Sequence, residues 1–292
     1  MHWTDPRIAF AAAIVFGLAL PSVASLFEPL IVPILIVMMA VSLAKVSARH
    51  PHKHHERRTV VGLVLANYLG ASVLYLFLTF VFVPVEYQPA LFIFALAPPA
   101  IGIIPLARMF KGDLDVGFLA EIVGYLAALV IIPLGTFLLF GSAASPAKVL
   151  EVVALIIVVP FALSRIIRRL PFYEMITHDR VSRPLISMSY AITFAAVIGL
   201  NRDAILDPLL VVVILVLLVV KLVLTLSSWL STVHRTPHSI SVLYMLFGSM
   251  KNGGIAIAIT VLLFGPASTV ALAVNAITLP FHLVLMERLA RS

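Results

Sequence analysis

The chain has 292 residues, 62% of them hydrophobic and 11% charged, and a mean hydropathy of +1.14. Soluble domains carry about a quarter charged residues, so composition excludes a soluble globular domain and points to an integral membrane protein. There is no cysteine, which excludes a disulfide framework, a thiolate metal site and a cysteine nucleophile.

In chain order, apolar runs of roughly 20 residues, the length that crosses hydrocarbon as a helix, predict ten spans. They fall at about 8–27, 30–47, 59–83, 90–110, 115–140, 147–168, 185–200, 207–232, 239–264 and 268–287. Helices satisfy their own backbone hydrogen bonds in lipid, so the expected class is an all-α membrane protein. The first run resembles a signal peptide, with Arg7, an apolar stretch and small residues near Ala24. The short turn expected at Glu28–Pro29, leading straight into another apolar run, favours a first spanning helix.

The net charge of +7 would suggest nucleic acid in a soluble chain. Here it is explained by topology. With the N-terminus inside, the lysines and arginines from Arg7 to Arg291 fall at the cytoplasmic face. The exceptions are Lys148 and Arg202, which face out, and Lys221 and Lys251, which lie within spans. That asymmetry supports the span count, places both termini in the cytoplasm, and leaves no role for nucleic acid.

Ten spans divide into two halves of five, residues 1–140 and 147–292, within one transport domain covering 1–292. An odd number per half inverts one half relative to the other. The fourth span contains APPAIGI (97–103) and the ninth, fourth in its own half, contains SMKNGG (249–254). Paired interruptions at matching positions of inverted repeats mark the binding sites of transporters. The plainer explanation of each is an ordinary Pro or Gly kink; their matching register favours a site.

These residues also carry a family resemblance. APPAIGIIPLARMFKGDLDVG (97–117) resembles the fourth span of the bile acid:sodium symporter family, GSMKNGGIAIAI (248–259) its ninth-span motif, and GLVLANYLG (62–70) its third-span segment. The resemblance implies core and panel domains, with broken helices 4 and 9 crossing in the core, and organic-anion transport often coupled to sodium. The chain departs from that pattern at the sodium ligands. The family's serine–asparagine pair falls on Ile103 and Ile104, its fifth-span serine on Gly117, its ninth-span glutamate on Phe247 and glutamine on Lys251, and its third-span glutamine on Asn67. Sodium needs oxygen ligands that isoleucine and phenylalanine do not have. The family's fifth-span threonine falls on Glu121, so one carboxylate and one ammonium appear as the ligands disappear.

Helix counting puts Glu121 about 9 Å and Lys251 about 16 Å from the cytoplasmic face. The expectation is that Lys251 replaces a sodium ion with Glu121 as its counter-ion, and either that one of the two groups carries a proton for coupling or that the lysine is a fixed internal cation permitting facilitated transport or anion binding. An unpaired charge at the bilayer centre costs about 2.5–3.5 kcal/mol on insertion scales. Two plainer explanations stand beside this one: a static structural pair, or a lysine stretched to the interface. Lys221 is also mid-span, in LVLLVVKLVLTL, with no oppositely charged neighbour in sequence.

The histidines of HPHKHHERR (50–58) read as a solvated loop drawn to anionic lipid rather than a metal site. Glu86, Glu151 and Asp207 are expected at the outer interface. A membrane protease would need a zinc motif, a serine–histidine dyad or paired aspartates; none is evident, and His282 reads as a packed or interfacial residue. No enzyme activity, metal or cofactor is expected.

The expected function is secondary active transport of a small organic anion by alternating access across a bacterial-type inner membrane. It is not classically sodium-coupled; protons through Lys251 and Glu121 are the candidate coupling ion. The alternatives are a sodium-coupled symporter of the same family and a non-transporting receptor or scaffold. The expected substrate and ion site comprises Asn67, Pro98, Pro99, Gly102, Glu121, Met250, Lys251, Asn252 and Gly253, with Asn67 and Asn252 hydrogen-bonding the substrate or the charged pair. Partners would be the anion, a coupling proton or sodium, and membrane lipid.

Overall fold

A computed structural model describes residues 6–44, 54–141, 145–205 and 207–291, and among them every regular element is helical. Lys45, Arg49, His50, His52 and Lys53, from the expected cytoplasmic face and histidine loop, lie outside the described residues.

The chain opens with α1 (Pro6–Ala19), α2 (Pro21–Ala24), a 3₁₀ segment (Ser25–Leu30) and α3 (Ile31–Ala44). This corrects the expected first span at 8–27. The break comes at Leu20 (φ −127°, ψ 58°), not at Glu28–Pro29. Pro21 is the cause: it has no N–H to bond the preceding turn, and its ring drives the residue before it out of the helical region. α1 is left at 14 residues, about 21 Å long and short of the hydrocarbon thickness.

Next come α4 (His54–Leu65), a π-helical turn (Ala66–Ala71) and α5 (Ser72–Phe82), which run on as one rod. A 3₁₀ turn (Val85–Tyr87) leads into α6 (Gln88–Leu96), and after a break the chain resumes as α7 (Ile103–Met109). α8 (Leu114–Phe140) and α9 (Pro146–Ile167) follow. α8 is started by the Asp113 side chain, which accepts the Val116 N–H at 3.1 Å.

α10 (Tyr173–Thr177) precedes α11 (Asp179–Leu200). α11 starts earlier than the expected 185 because the His178 ring nitrogen caps it, accepting the Arg180 N–H at 3.1 Å. After α12 (Arg202–Ile205), α13 (Leu210–Thr232) begins three residues later than expected. This leaves Asp207 in the connection, where it accepts the Tyr87 hydroxyl at 2.6 Å and the Leu209 N–H at 2.9 Å. α14 (His238–Ser249), α15 (Gly253–Phe264), a 3₁₀ turn (Pro266–Thr269) and α16 (Val270–Arg291) complete the chain.

Among the described residues seven stretches are long and apolar enough to cross a membrane: 21–44, 57–82, 114–140, 147–167, 180–200, 210–232 and 266–291. Large apolar side chains also cover the outside. Phe80 and Leu138 are each 73% exposed, which in water would forfeit about 1.5–3 kcal/mol of burial per side chain. A lipid surround removes that penalty, and the protein is an integral, multi-pass membrane protein.

The long helices pack around two interrupted ones. α3 lies against α9 and α11, and α13 against α14 and α16. The interrupted pairs α6–α7 and α14–α15 meet inside. Buried apolar residues form two clusters, one built on α3, α6, α9, α11 and α15, the other on α7, α14 and the start of α8.

Candidate functional site

The two interruptions meet. Pro99 and Lys251 form an isolated antiparallel bridge, and the Asn252 N–H donates to the Pro98 carbonyl at 2.8 Å. Extended backbone at this depth needs a partner for each peptide group, and each break supplies partners for the other.

The sequence explains which groups are freed. Pro98 and Pro99 have no N–H for the Phe94 and Ala95 carbonyls four residues earlier. The Phe94 carbonyl takes the Ala97 N–H at 3.2 Å instead. The Ala95 carbonyl takes the Ser72 hydroxyl at 2.7 Å. On the other break, the Phe247 and Met250 carbonyls both accept from the Asn67 side-chain amide, at 2.8 and 3.1 Å. Asn252 caps α15 through its side-chain oxygen, which accepts the Ile255 N–H at 2.9 Å, and its Nδ2 donates to the Tyr125 hydroxyl at 2.9 Å.

Lys251 is 5% exposed. Its Nζ donates to Asn67 Oδ1 at 2.9 Å, Ser72 Oγ at 2.8 Å and the Ala97 carbonyl at 3.0 Å. The ammonium has three hydrogens and meets three oxygens. It also lies 4.6 Å from the centre of the Tyr68 ring, a cation–π contact. Every one of these partners is neutral. The Tyr68 hydroxyl in turn donates to the Gly124 carbonyl at 2.8 Å.

The π turn makes this arrangement possible. Asn67 and Ser72 are five residues apart, and in a regular α-helix they would point about 140° away from each other. A π turn closes on i→i+5, so both face the same ammonium. The Ser72 hydroxyl also sits 3.4 Å from the Asn67 carbonyl, with the same spacing.

The expected Lys251–Glu121 ion pair is not formed, because three nearer oxygens already take every donor of Lys251. Glu121 is buried on α8, and its carboxyl group faces the Tyr125 hydroxyl one turn on. Glu121 and the crossing are therefore linked indirectly, Asn252 to Tyr125 to Glu121. α8 comes close here because of Gly124: a Cβ at that position would stand 2.7 Å from the Pro99 ring.

The remaining expected site residues also fall here. Pro98, Pro99 and Met250 are buried at the crossing. Gly102 flanks α7, with Met250 Cε 4.0 Å from where its Cβ would be. Gly253 opens α15 against the Asn275 amide of α16, whose nitrogen would be 3.6 Å from a Cβ. Ser72, Tyr68, Tyr125 and Asn275 join the site unforeseen. The Asn275 side-chain oxygen is buried without a hydrogen-bond partner. Tyr125 stands four residues after Glu121, a spacing that places both on one helix face and was legible.

A second buried polar group lies between α13 and α16. Lys221 Nζ donates to Thr278 Oγ1 at 2.5 Å and to the Asn275 carbonyl at 3.3 Å. His282 Nε2 is 2.8 Å from Thr225 Oγ1. Both basic side chains are under 5% exposed.

No protein-family model matches the chain, and no curated protein matches it.

Proposed function

We propose that the protein is a secondary carrier of a small organic anion, working by alternating access without classical sodium coupling. The observation that carries this reading is the position of Lys251, an ammonium held by three neutral oxygens where two interrupted helices cross. Three oxygens around a small cation are also the kind of donor set a hard metal cation takes. In our reading the chain has built a fixed cation into a place where related carriers bind a mobile one. The resemblance to the bile acid:sodium symporter family, with ten spans in two inverted repeats and a core domain moving against a panel, belongs to this proposal. So do the cytoplasmic termini and the bacterial-type inner membrane.

The start of α15, capped by Asn252, adds partial positive charge beside the lysine. Together their positive field suits a carboxylate brought near the crossing, with no direct hydrogen bond from Lys251, whose three donors are engaged. The unpartnered oxygen of Asn275 suits a donor on the same molecule.

The test is uptake into proteoliposomes of a panel of carboxylates, with proton and sodium gradients imposed separately. The reading expects uptake indifferent to sodium and lost in Lys251→Gln. Uptake that follows sodium and survives that change would sink it. No uptake of any carboxylate under either gradient would favour a receptor or scaffold instead.

A further inference from the structure

We propose that Lys221 and His282 form a proton-binding site separate from the crossing, reached along a hydroxyl-lined face of α13.

Lys221 is an amine in the middle of an apolar span, and its partners are neutral: the Thr278 hydroxyl and the Asn275 carbonyl. The directions of these bonds are fixed. Thr278 gives its own hydrogen to the Asn275 carbonyl at 2.8 Å, so it accepts from Lys221. Thr225 gives its hydrogen to the Lys221 carbonyl at 2.6 Å, so it accepts from His282 Nε2, which therefore carries a proton.

The elements packed on α13 are α5, α14, α16 and the π turn. Their titratable groups along the buried stretch are Tyr68, Tyr75, Tyr244 and His282. His238 sits further on, against Trp229 and the Phe110 carbonyl. Glu287, Arg288 and Arg291 stand at the far end of α16, where Glu287 pairs with Arg291. Among these, His282 is the one on which Lys221 acts electrostatically. Two adjacent bases with no acid between them repel when both are charged, so the pair takes up one proton in place of two. A proton also needs no cavity, which suits side chains this tightly enclosed.

The path is written on α13. Lys221, Thr225, Ser228 and Thr232 follow spacings of four, three and four, which is a single helix face. They cover about 16 Å toward the Arg235 end of the helix. Thr225 is buried, while Ser228 and Thr232 are half-buried. Ser228 turns inward against Gly248, where a Cβ would stand 2.2 Å from its hydroxyl. A proton arriving by this face adds to the lone pair of neutral Lys221 Nζ, and no bond between heavy atoms changes. Asn275 joins the two regions, since its carbonyl binds Lys221 and its amide lies against Gly253. Use of this site for coupling rests on the carrier reading; the site itself does not.

The first test is nitrogen NMR of protein labelled at lysine Nζ, across the pH range in which it stays folded. One signal is expected to change protonation with pH, to vanish in Lys221→Met, and to persist and titrate in Lys251→Met. A Lys221 signal fixed in one state throughout would overturn the proposal. If Lys221→Met does not fold, Lys221→Arg keeps a cation that does not deprotonate. Proton uptake after a pH jump should then fall by one per chain, and unchanged uptake would overturn the proposal. Loss of proton-driven carboxylate uptake in Lys221→Arg would tie the site to transport. Transport failing in the unaltered protein would count against the carrier reading alone.

Discussion

Asn252 and Pro98, 154 positions apart, are hydrogen-bonded backbone to backbone across 2.8 Å. The next pair, Lys251 and Ala97, is joined side chain to backbone at 3.0 Å. Successive carbonyls of one break thus hold successive residues of the other.

Removing the lysine should open a cation site. Lys251→Ala strands Asn67 Oδ1, Ser72 Oγ and the Ala97 carbonyl, each an acceptor whose desolvation costs about 1–3 kcal/mol. We expect a large fall in thermal stability that ammonium or sodium partly restores, while the unaltered protein does not respond. At ten times its Kd a rescuing cation contributes about 1.4 kcal/mol, roughly 2–4 °C in melting temperature per kcal/mol. A variant equally stable in ammonium and in a bulky quaternary ammonium salt would refute this.

Asn252 has two separable jobs. Asn252→Ala loses the cap of α15, costing about 1 kcal/mol, and the donor to Tyr125. Asn252→Asp keeps the capping oxygen but loses that donor. Both should destabilise, alanine through the cap and aspartate through a buried charge beside the Tyr125 oxygen. Tyr125→Phe should relieve the aspartate variant and not the alanine one, measured as coupling in a double-mutant cycle.

Gly124 should tolerate no larger residue. A Cβ there meets a proline ring at 2.7 Å, and a ring cannot fold away as a flexible chain end does. Gly124→Val should cost about 1–3 kcal/mol as overpacking. The matched control is Gly70, where a Cβ meets nothing within 4 Å. Equal melting temperatures for the two valine variants would contradict the close approach.

The Tyr87–Asp207 contact ties the start of α6 to the approach of α13 and should show as acid sensitivity. The Tyr87 hydroxyl, then the Leu209 N–H, hold the Asp207 carboxyl below the usual carboxylate range. Its stabilising share is complete above the ordinary range of the unfolded chain and is lost as pH falls through the lower folded value. Tyr87→Phe should therefore narrow the difference in stability between neutral and acid pH. An unaltered acid limb would rule the contact out as a contributor.

The interruptions were legible because their chemistry is local. Two prolines remove two donors, and Asn-Gly-Gly offers a cap followed by residues of poor helix propensity. Pro21 is equally local in its chemistry: it drives Leu20 out of the helical region, so the break falls there and not at Glu28–Pro29. The pairing of Lys251 with Glu121 followed from the family resemblance, in which the two fall on neighbouring ion positions. Neutral oxygens satisfied the lysine, and nothing in ANYLGA announces the π turn that aims two of them. Lys221 lacked a sequence neighbour of opposite charge, and its partners Asn275 and Thr278 come from a helix more than 50 residues away.

That π turn makes the rod formed by α4 and α5 unusual in how it can be shortened. A π turn holds one residue more than the α turn it interrupts. Deleting a single residue elsewhere along 57–82 would swing all that follows by about 100° and carry lipid-facing side chains inward. Deleting one within Ala66–Ala71 lets the rod close up as plain α-helix, with the flanking faces still in register. Where the lost residue lies between Asn67 and Ser72, those two become four apart, about 40° from each other on one face, and both still point at Lys251. This rod thus has one place where a residue can be lost with both its packing faces and the ligands of Lys251 kept.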